Sequence, residues 1–418
     1  MKTKLFFLIS FLISGSIAFA QFEIQGIIRP RFEYRNGYAT LRTDSSTAAA
    51  FISQRTRLNF LYKAEKLETK LSVFDFRVWG DQVWKKDIAS IGLNEAWAKI
   101  NINDYWFVKF GRQQLKYDNS RLISPVNWNQ IGAAHDALKI NYRQNGWNFD
   151  LTSAWNQSAQ NKFGTDYAFF NSFYKSLNIF WLSKKMNNFT ISSLNIAEGF
   201  QDTSNPEKQH FRFTYGLIPN YKTEKFQVIG RFFKQTGNLQ TGQNINAFYT
   251  NVDLSYSLSE KIKLTAGNEI KSGNNGSDTL NTTNNAFDIL YGARHKFNGR
   301  IDYFNIPSTT KEAGLIDSYL KTQISFNKNI NLFGEYHYFT LQNNVVDNGI
   351  SIDKFLGHEI DFVYKQKFTK DISIEAGYSF IFGSESLEII KGGNKDLLNN
   401  WFYLMITVHP TFFTDKNK

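Results

Sequence analysis

The sequence predicts an all-β fold: a transmembrane, antiparallel, up-and-down β-barrel of about 18 strands, with about 16 or about 20 as alternatives. Three observations carry this expectation. Apolar and polar residues alternate with a period of two through most of the chain, the pattern of a strand with one greasy and one wet face. The alternating segments are joined by tight turns and long polar loops in turn, as in a barrel with short turns at one end and long loops at the other. Aromatic residues are 17% of the sequence and mean hydropathy is −0.39, yet beyond the N-terminus no run approaches the ~18–20 apolar residues of a membrane helix. The chain has no cysteine, so its stability does not come from disulfides. A closed hydrogen-bond ladder in lipid is sufficient.

Residues 1–20, MKTKLFFLISFLISGSIAFA, read as a secretory signal peptide. Lys2 and Lys4 precede the apolar run, and Ala18 and Ala20 supply the small residues before Gln21. Residues 21–418 then read as one barrel, with long outer loops that include 117–134 and 273–313. The first strand, expected over 22–35, puts Ile24, Gly26, Ile28, Pro30, Phe32 and Tyr34 toward lipid and Arg29, Arg31, Glu33 and Arg35 inward. The second, over 51–63, turns Arg55 and Arg57 inward. The third, over 69–79, is expected to turn Asp75 and Arg77 inward, and the fourth, over 93–101, Glu95 and Lys99.

A long irregular loop joins strands five and six, and Asn145-Gly146 makes the tight turn after them. Arg112 and Gln114 are expected to face inward, which sends Lys109 outward at a cost of ~2–4 kcal/mol at mid-bilayer and little near a rim. Lys139 and Arg143 are expected to face inward on strand six. Further strands are expected over 147–155, 172–184, 189–200, 211–221, 226–234, 247–258 and 262–271, with Arg231 on a wet face. Residues 273–313 read as one long loop in place of two more strands, because Gly292, Gly299 and Pro307 interrupt the alternation. Strands over 315–326, 330–341, 355–367, 372–382 and 401–409 complete the cylinder.

The run GRQQL at 111–115, Arg121-Leu122, Trp128 and DALKINY at 136–142 resembles the alginate-export family of outer-membrane proteins, which has G-R-Q, R-L, W and D-A in a comparable stretch. HKFNGRIDYF at 295–304 and GLIDSYL at 314–320 extend the resemblance. It implies an outer-membrane location in a Gram-negative bacterium and passive diffusion of an anionic polysaccharide through an Arg-lined pore. It also raises Arg112 and Arg121 as pore or substrate residues; Asp136 and Trp128 match the family pattern too, and either could be scaffolding that pins the loop, the reading preferred for Trp128.

By parity and resemblance together, the expected lumen residues are Arg29, Arg31, Arg35, Arg55, Arg57, Arg77, Glu95, Lys99, Arg112, Arg121, Asp136, Lys139, Arg143 and Arg231. Guanidiniums offer a planar fork to carboxylates, one of which every uronate sugar carries. A ring of them in a narrow lumen attracts anions. The alternatives are a general or small-anion porin of the same fold and a structural or adhesive barrel with a closed pore. Expected partners are outer-membrane lipids, lipopolysaccharide, the barrel-assembly machinery and an anionic saccharide. The formal charge of +11 alone does not point to nucleic acid in an exported chain. No enzyme, cofactor or metal is expected: there is no G-x-S-x-G and no Cys, and the six His are scattered. Glu335 and His337 share a wet face, a pattern common by chance.

Overall fold

A computed structural model describes residues 20–83, 85, 90–167, 173–202 and 204–415. Of the expected signal peptide only Ala20 falls among them, and Ser172, the expected start of a strand, lies outside them. The first half of the barrel wall is β1 (Gln21–Asn36), β2 (Ala49–Lys63), β3 (Leu67–Val78), β4 (Gly92–Asn101), β5 (Trp106–Gln113), β6 (His135–Gln144), β7 (Trp147–Trp155), β8 (Ser176–Met186) and β9 (Phe189–Gln201). The second half begins with β10 (Gln209–Lys222), β11 (Phe226–Asn238), β12 (Asn244–Ser257), β13 (Ile262–Lys271), β14 (Leu315–Asn327) and β15 (Ile330–Thr340). A two-residue hairpin, β16 (Val346–Asp347) and β17 (Ile350–Ser351), belongs to a loop. Then come β18 (Phe355–Lys367), β19 (Ile372–Gly383) and β20 (Asn399–Val408), with β21 (Thr411–Thr414) continuing β20 past Pro410.

Each wall strand pairs antiparallel with the next, and β1 pairs with β2 on one side and with β20 and β21 on the other. The result is a closed barrel of 18 staves, in which no edge strand is left unpaired. A one-residue shift between Ile24 and Gln25 joins β21 to β1, so the seam accommodates the Pro410 interruption by a bulge. At Asn145-Gly146 both residues have positive φ, 50° and 77°, the geometry that matches a two-residue turn to the strand twist.

The outer face is a continuous apolar band. Phe110, Leu138, Leu151, Phe180, Leu217, Phe232, Leu254, Leu320 and Phe362 are exposed large hydrophobics there. The lumen is packed where the long loops turn inward. Leu115, Tyr117, Leu122 and Ile123 join Phe287, Ile289 and Leu290 against inward side chains of β8 to β12. Ile301, Tyr303 and Phe304 form a second cluster with Phe339, Ile381, Trp401 and Tyr403. Residues 273–313 contribute no wall strand; they hold a 3-10 turn at Pro307–Thr310 and otherwise irregular chain. The loop after β19 carries a helix, α1 (Glu385–Lys391), capped by Ser384, whose Oγ accepts from Leu387 N at 3.2 Å.

Candidate functional site

Alternation on β1 and β2 places Arg29, Arg31, Arg55 and Arg57 on the inner face, with Arg29 directly opposite Arg55. Their guanidiniums donate to backbone carbonyls of the inward loop between β5 and β6. Arg29 reaches Asn127 O at 2.9 Å and Gln130 Oε1 at 2.9 and 3.0 Å. Arg31 reaches Trp128 O at 2.8 Å, and Arg57 reaches Ile131 O at 3.2 Å. Arg55 donates to Asn129 O and Gln130 O. These are charge-assisted bonds to neutral acceptors, so they hold the loop and leave the positive charge in place.

Arg31 and Arg35 share Glu33, at 2.9 and 2.8 Å, and Trp401 Nε1 donates to the same carboxylate at 3.2 Å. Among the described residues, no carboxylate stands within ion-pair distance of Arg29, Arg55 or Arg57. The remaining inward basic groups are mostly paired. Lys99 bonds Glu68 at 3.0 Å, Lys139 bonds Asp150 at 2.7 Å, and Arg231 bonds Asp253 at 2.7 Å. Glu95 is buried and holds Lys70. Arg143 sits at the tight-turn end, exposed, on the inner parity.

Four residues expected to face the lumen do not: Asp75, Arg77, Arg112 and Asp136. Ser72, on β3, bonds Asn59 on the inner face and is fully buried, which puts Asp75 and Arg77 on the opposite parity beside Gln54 and Thr56. Arg77 pairs with Asp75 at 2.7 Å on the outside. On β5, Arg112 shares its face with exposed Trp106 and Phe110, and it pairs at 3.1 Å with Asp136, which is 61% exposed beside Leu138. Arg112 and Asp136 therefore form a rim pair on the outer face, where a charge costs little. Lys109 is correspondingly inward, over the Trp97 ring at 3.8 Å and directly opposite Lys99 and Lys139. The parity of β5 reads correctly from Trp106, Val108 and Phe110; assigning Arg112 inward inverts it.

Arg121 is inside, but on the far side of the lumen. It bonds Glu269 of β13 and, at 2.7 Å, Asn298 of the second inward loop. Burial alone would lower its pKa; Glu269 and Tyr249 more than offset this and raise it. Arg121 thus ties loop to wall. Trp128 stacks on His295 at 4.1 Å, meets Tyr403 edge-on at 4.8 Å, and has the Arg31 guanidinium over its ring at 4.1 Å. The two inward loops are joined by a parallel bridge between Ile123 and Tyr291 and by Ala293 N donating to Ser120 O at 2.9 Å.

Within the second loop, burial lowers the Lys296 ammonium, and Lys116, Arg231, Lys321 and Arg300 around it lower it further. Sequence reading missed three features of this site: the loop carbonyls as arginine partners, inward Lys109, and the bridge between the loops. Only Lys109 has a signal in the sequence. A group of buried acidic side chains around His337 lies on the wall between β14 and β18.

Compared with solved structures, the chain is similar to OccK9 (OpdG) of Pseudomonas aeruginosa, with TM-score 0.63 and 9% identity over 94% of this chain and 98% of that one. A substituted OccD1 (OprD) matches with TM-score 0.61 and 12% identity, over 94% and 96%. OpdK of Pseudomonas aeruginosa, in a structure with vanillate, matches with TM-score 0.57 and 8% identity, over 94% and 99%. At these identities the likeness establishes the barrel fold. No curated protein matches the chain. The Alginate export profile matches residues 21–387, nearly the whole barrel. With that match and a closed 18-stave wall, the chain belongs to the alginate-export family and is an outer-membrane channel of a Gram-negative bacterium.

Proposed function

We propose that the channel passes anionic substrate by diffusion, with uronate-type oligosaccharides or polysaccharides as its cargo. The observation that carries this reading is the set of guanidiniums on β1 and β2, Arg29, Arg55 and Arg57, that face the lumen with no carboxylate in ion-pair contact among the described residues. Lys109 adds to them from β5. A carboxylate arriving beside Asn127–Ile131 would find forked donors that the loop carbonyls occupy without neutralising. Exchange of a carbonyl for a carboxylate keeps each bond and gains a charge pair, and a series of such exchanges permits passage without a trap.

A small-anion porin is the second reading, favoured by how far the two loops fill the lumen. Contact with lipopolysaccharide at the rim and assembly by the barrel machinery belong to either. Planar-bilayer recordings of the mature chain in a KCl gradient test the anion preference, and a reversal potential of cation-selective sign would refute it. Oligouronates and neutral oligosaccharides of equal length then separate the two cargoes. Current block by the uronates alone supports the saccharide reading, and no block by either favours small anions.

A further inference from the structure

On the lumen wall beneath the second inward loop, β15 presents Glu335 and His337 and β18 presents Glu359 and Asp361. Across the ladder Glu335 stands directly opposite Asp361, and His337 opposite Glu359. His337 is 1% exposed and Asp361 is fully buried. Imidazole Nδ1 is held by Asp317 of β14 at 2.8 Å, which turns Nε2 toward the carboxylates. There, among the described residues, His337 Nε2, both Asp361 oxygens and Glu359 Oε2 have no partner at ordinary hydrogen-bond geometry. Orphaned acceptors in a sealed site are costly and call for an explanation.

Spacing supplies one. His337 Nε2 lies 3.5 Å from Glu335 Oε2 and 3.8 Å from an Asp361 oxygen, and all three ligand atoms fall within 4.8 Å of one another. These separations exceed hydrogen-bond lengths. The two separations from His337 come close to the edge of a tetrahedron around a metal, about 3.4 Å for ligand bonds of about 2.1 Å. The cations bonded to the cluster, Arg300 at 2.5 Å and Lys321 at 2.6 Å, both serve Glu335. Among the described residues, neither Glu359 nor Asp361 has a Lys or Arg in ion-pair contact.

We propose that Glu335, His337 and Asp361 bind a divalent transition-metal ion of the zinc class. One imidazole with two carboxylates suits such an ion, and Asp317 on the distal ring nitrogen is the outer partner that metal-bound histidines usually have. The ion staples β15 to β18 directly under the second loop, whose Arg300 and Ile301 N–H groups donate to Glu359 Oε1. Gly299 passes so close that a Cβ there would lie 2.3 Å from the Glu359 carboxylate. The metal therefore supports the wall on which this loop rests.

The test uses the full mature chain, folded in detergent without a polyhistidine tag, stripped with EDTA and titrated separately with Zn2+, Co2+ and Ca2+. One Zn2+ per chain is expected, with Co2+ giving the visible absorption of a low-coordinate nitrogen–oxygen site. His337→Ala and Asp361→Asn should each abolish binding while the unboiled protein keeps the gel mobility of a folded barrel. Asp317→Asn, which leaves all three ligands in place, should weaken binding by about tenfold or more. Failure of the folded wild type to bind Zn2+ would overturn the proposal and leave His337 as a structural bridge among carboxylates. Undiminished Zn2+ binding by folded Asp361→Asn, or a preference for Ca2+ indifferent to His337→Ala, would also overturn it.

Discussion

Arg29, Arg55 and Arg57 put cationic donors on neutral carbonyls, so each serves as fastener and charge at once. Replacing Arg57 with Ala removes its bond to Ile131 O, about 1.5–3 kcal/mol for a charged donor, and one lumen charge. Anion preference should fall and loop-dependent current noise should rise; a quiet, equally anion-selective channel would argue against the assignment. Arg112→Glu is the matched control. Its side chain stands outside the cylinder beside Asp136, so reversal potentials should be unchanged. Parity read most inner-face residues directly from the sequence, because one buried face fixes which side every neighbour takes. It failed at Arg77 and Arg112, which occupy lipid-side positions near strand ends. There the bilayer no longer penalises charge, and residue type ceases to report orientation.

The inward loops are held by different means. Trp128 anchors the first through ring contacts with His295, Tyr403 and Arg31, and Trp128→Ala should weaken its docking by about 3–5 kcal/mol. Larger and less steady single-channel conductance is the expected readout. Gly299 has φ 78°, and any side chain there meets Glu359, so Gly299→Val should loosen the second loop and expose it to protease in intact outer membranes. Acid should act on the same loop through Asp302. Burial would raise its pKa, but His295 at 3.2 Å, the Tyr38 hydroxyl and Asn305 hold it below the ordinary 3.8. A depressed carboxylate stabilises above its unfolded pKa and loses that contribution as pH falls through its lower folded value. Conductance fluctuations should therefore increase as pH falls below the ordinary carboxylate range, and Asp302→Asn should remove that step. Both stretches were legible as loops from glycine, proline and broken alternation. The partners that hold them inside the bore were not, since these lie about 100 positions away, as Gln130 does from Arg29. The helix α1, capped by Ser384 with Glu385 and Glu388 in its first turn, was not read from the sequence.

Across the whole molecule, the sequence carries the cylinder plainly and its contents poorly. Period-two alternation is local, and every strand repeats it, so closure and stave number follow from counting. What fills the bore depends on long-range pairing, which periodicity does not encode. The bridge from Ile123 to Tyr291 has a dynamic corollary. Two stretches of chain emerging from opposite sides of the barrel share a backbone hydrogen bond, Ser124 N to Tyr291 O at 3.1 Å, so neither can retract alone without breaking it. Recordings at high time resolution should then show a single concerted transition between blocked and conducting levels, with no intermediate sub-level. Shortening the stretch around Ile123 should uncouple the two movements and split that transition in two.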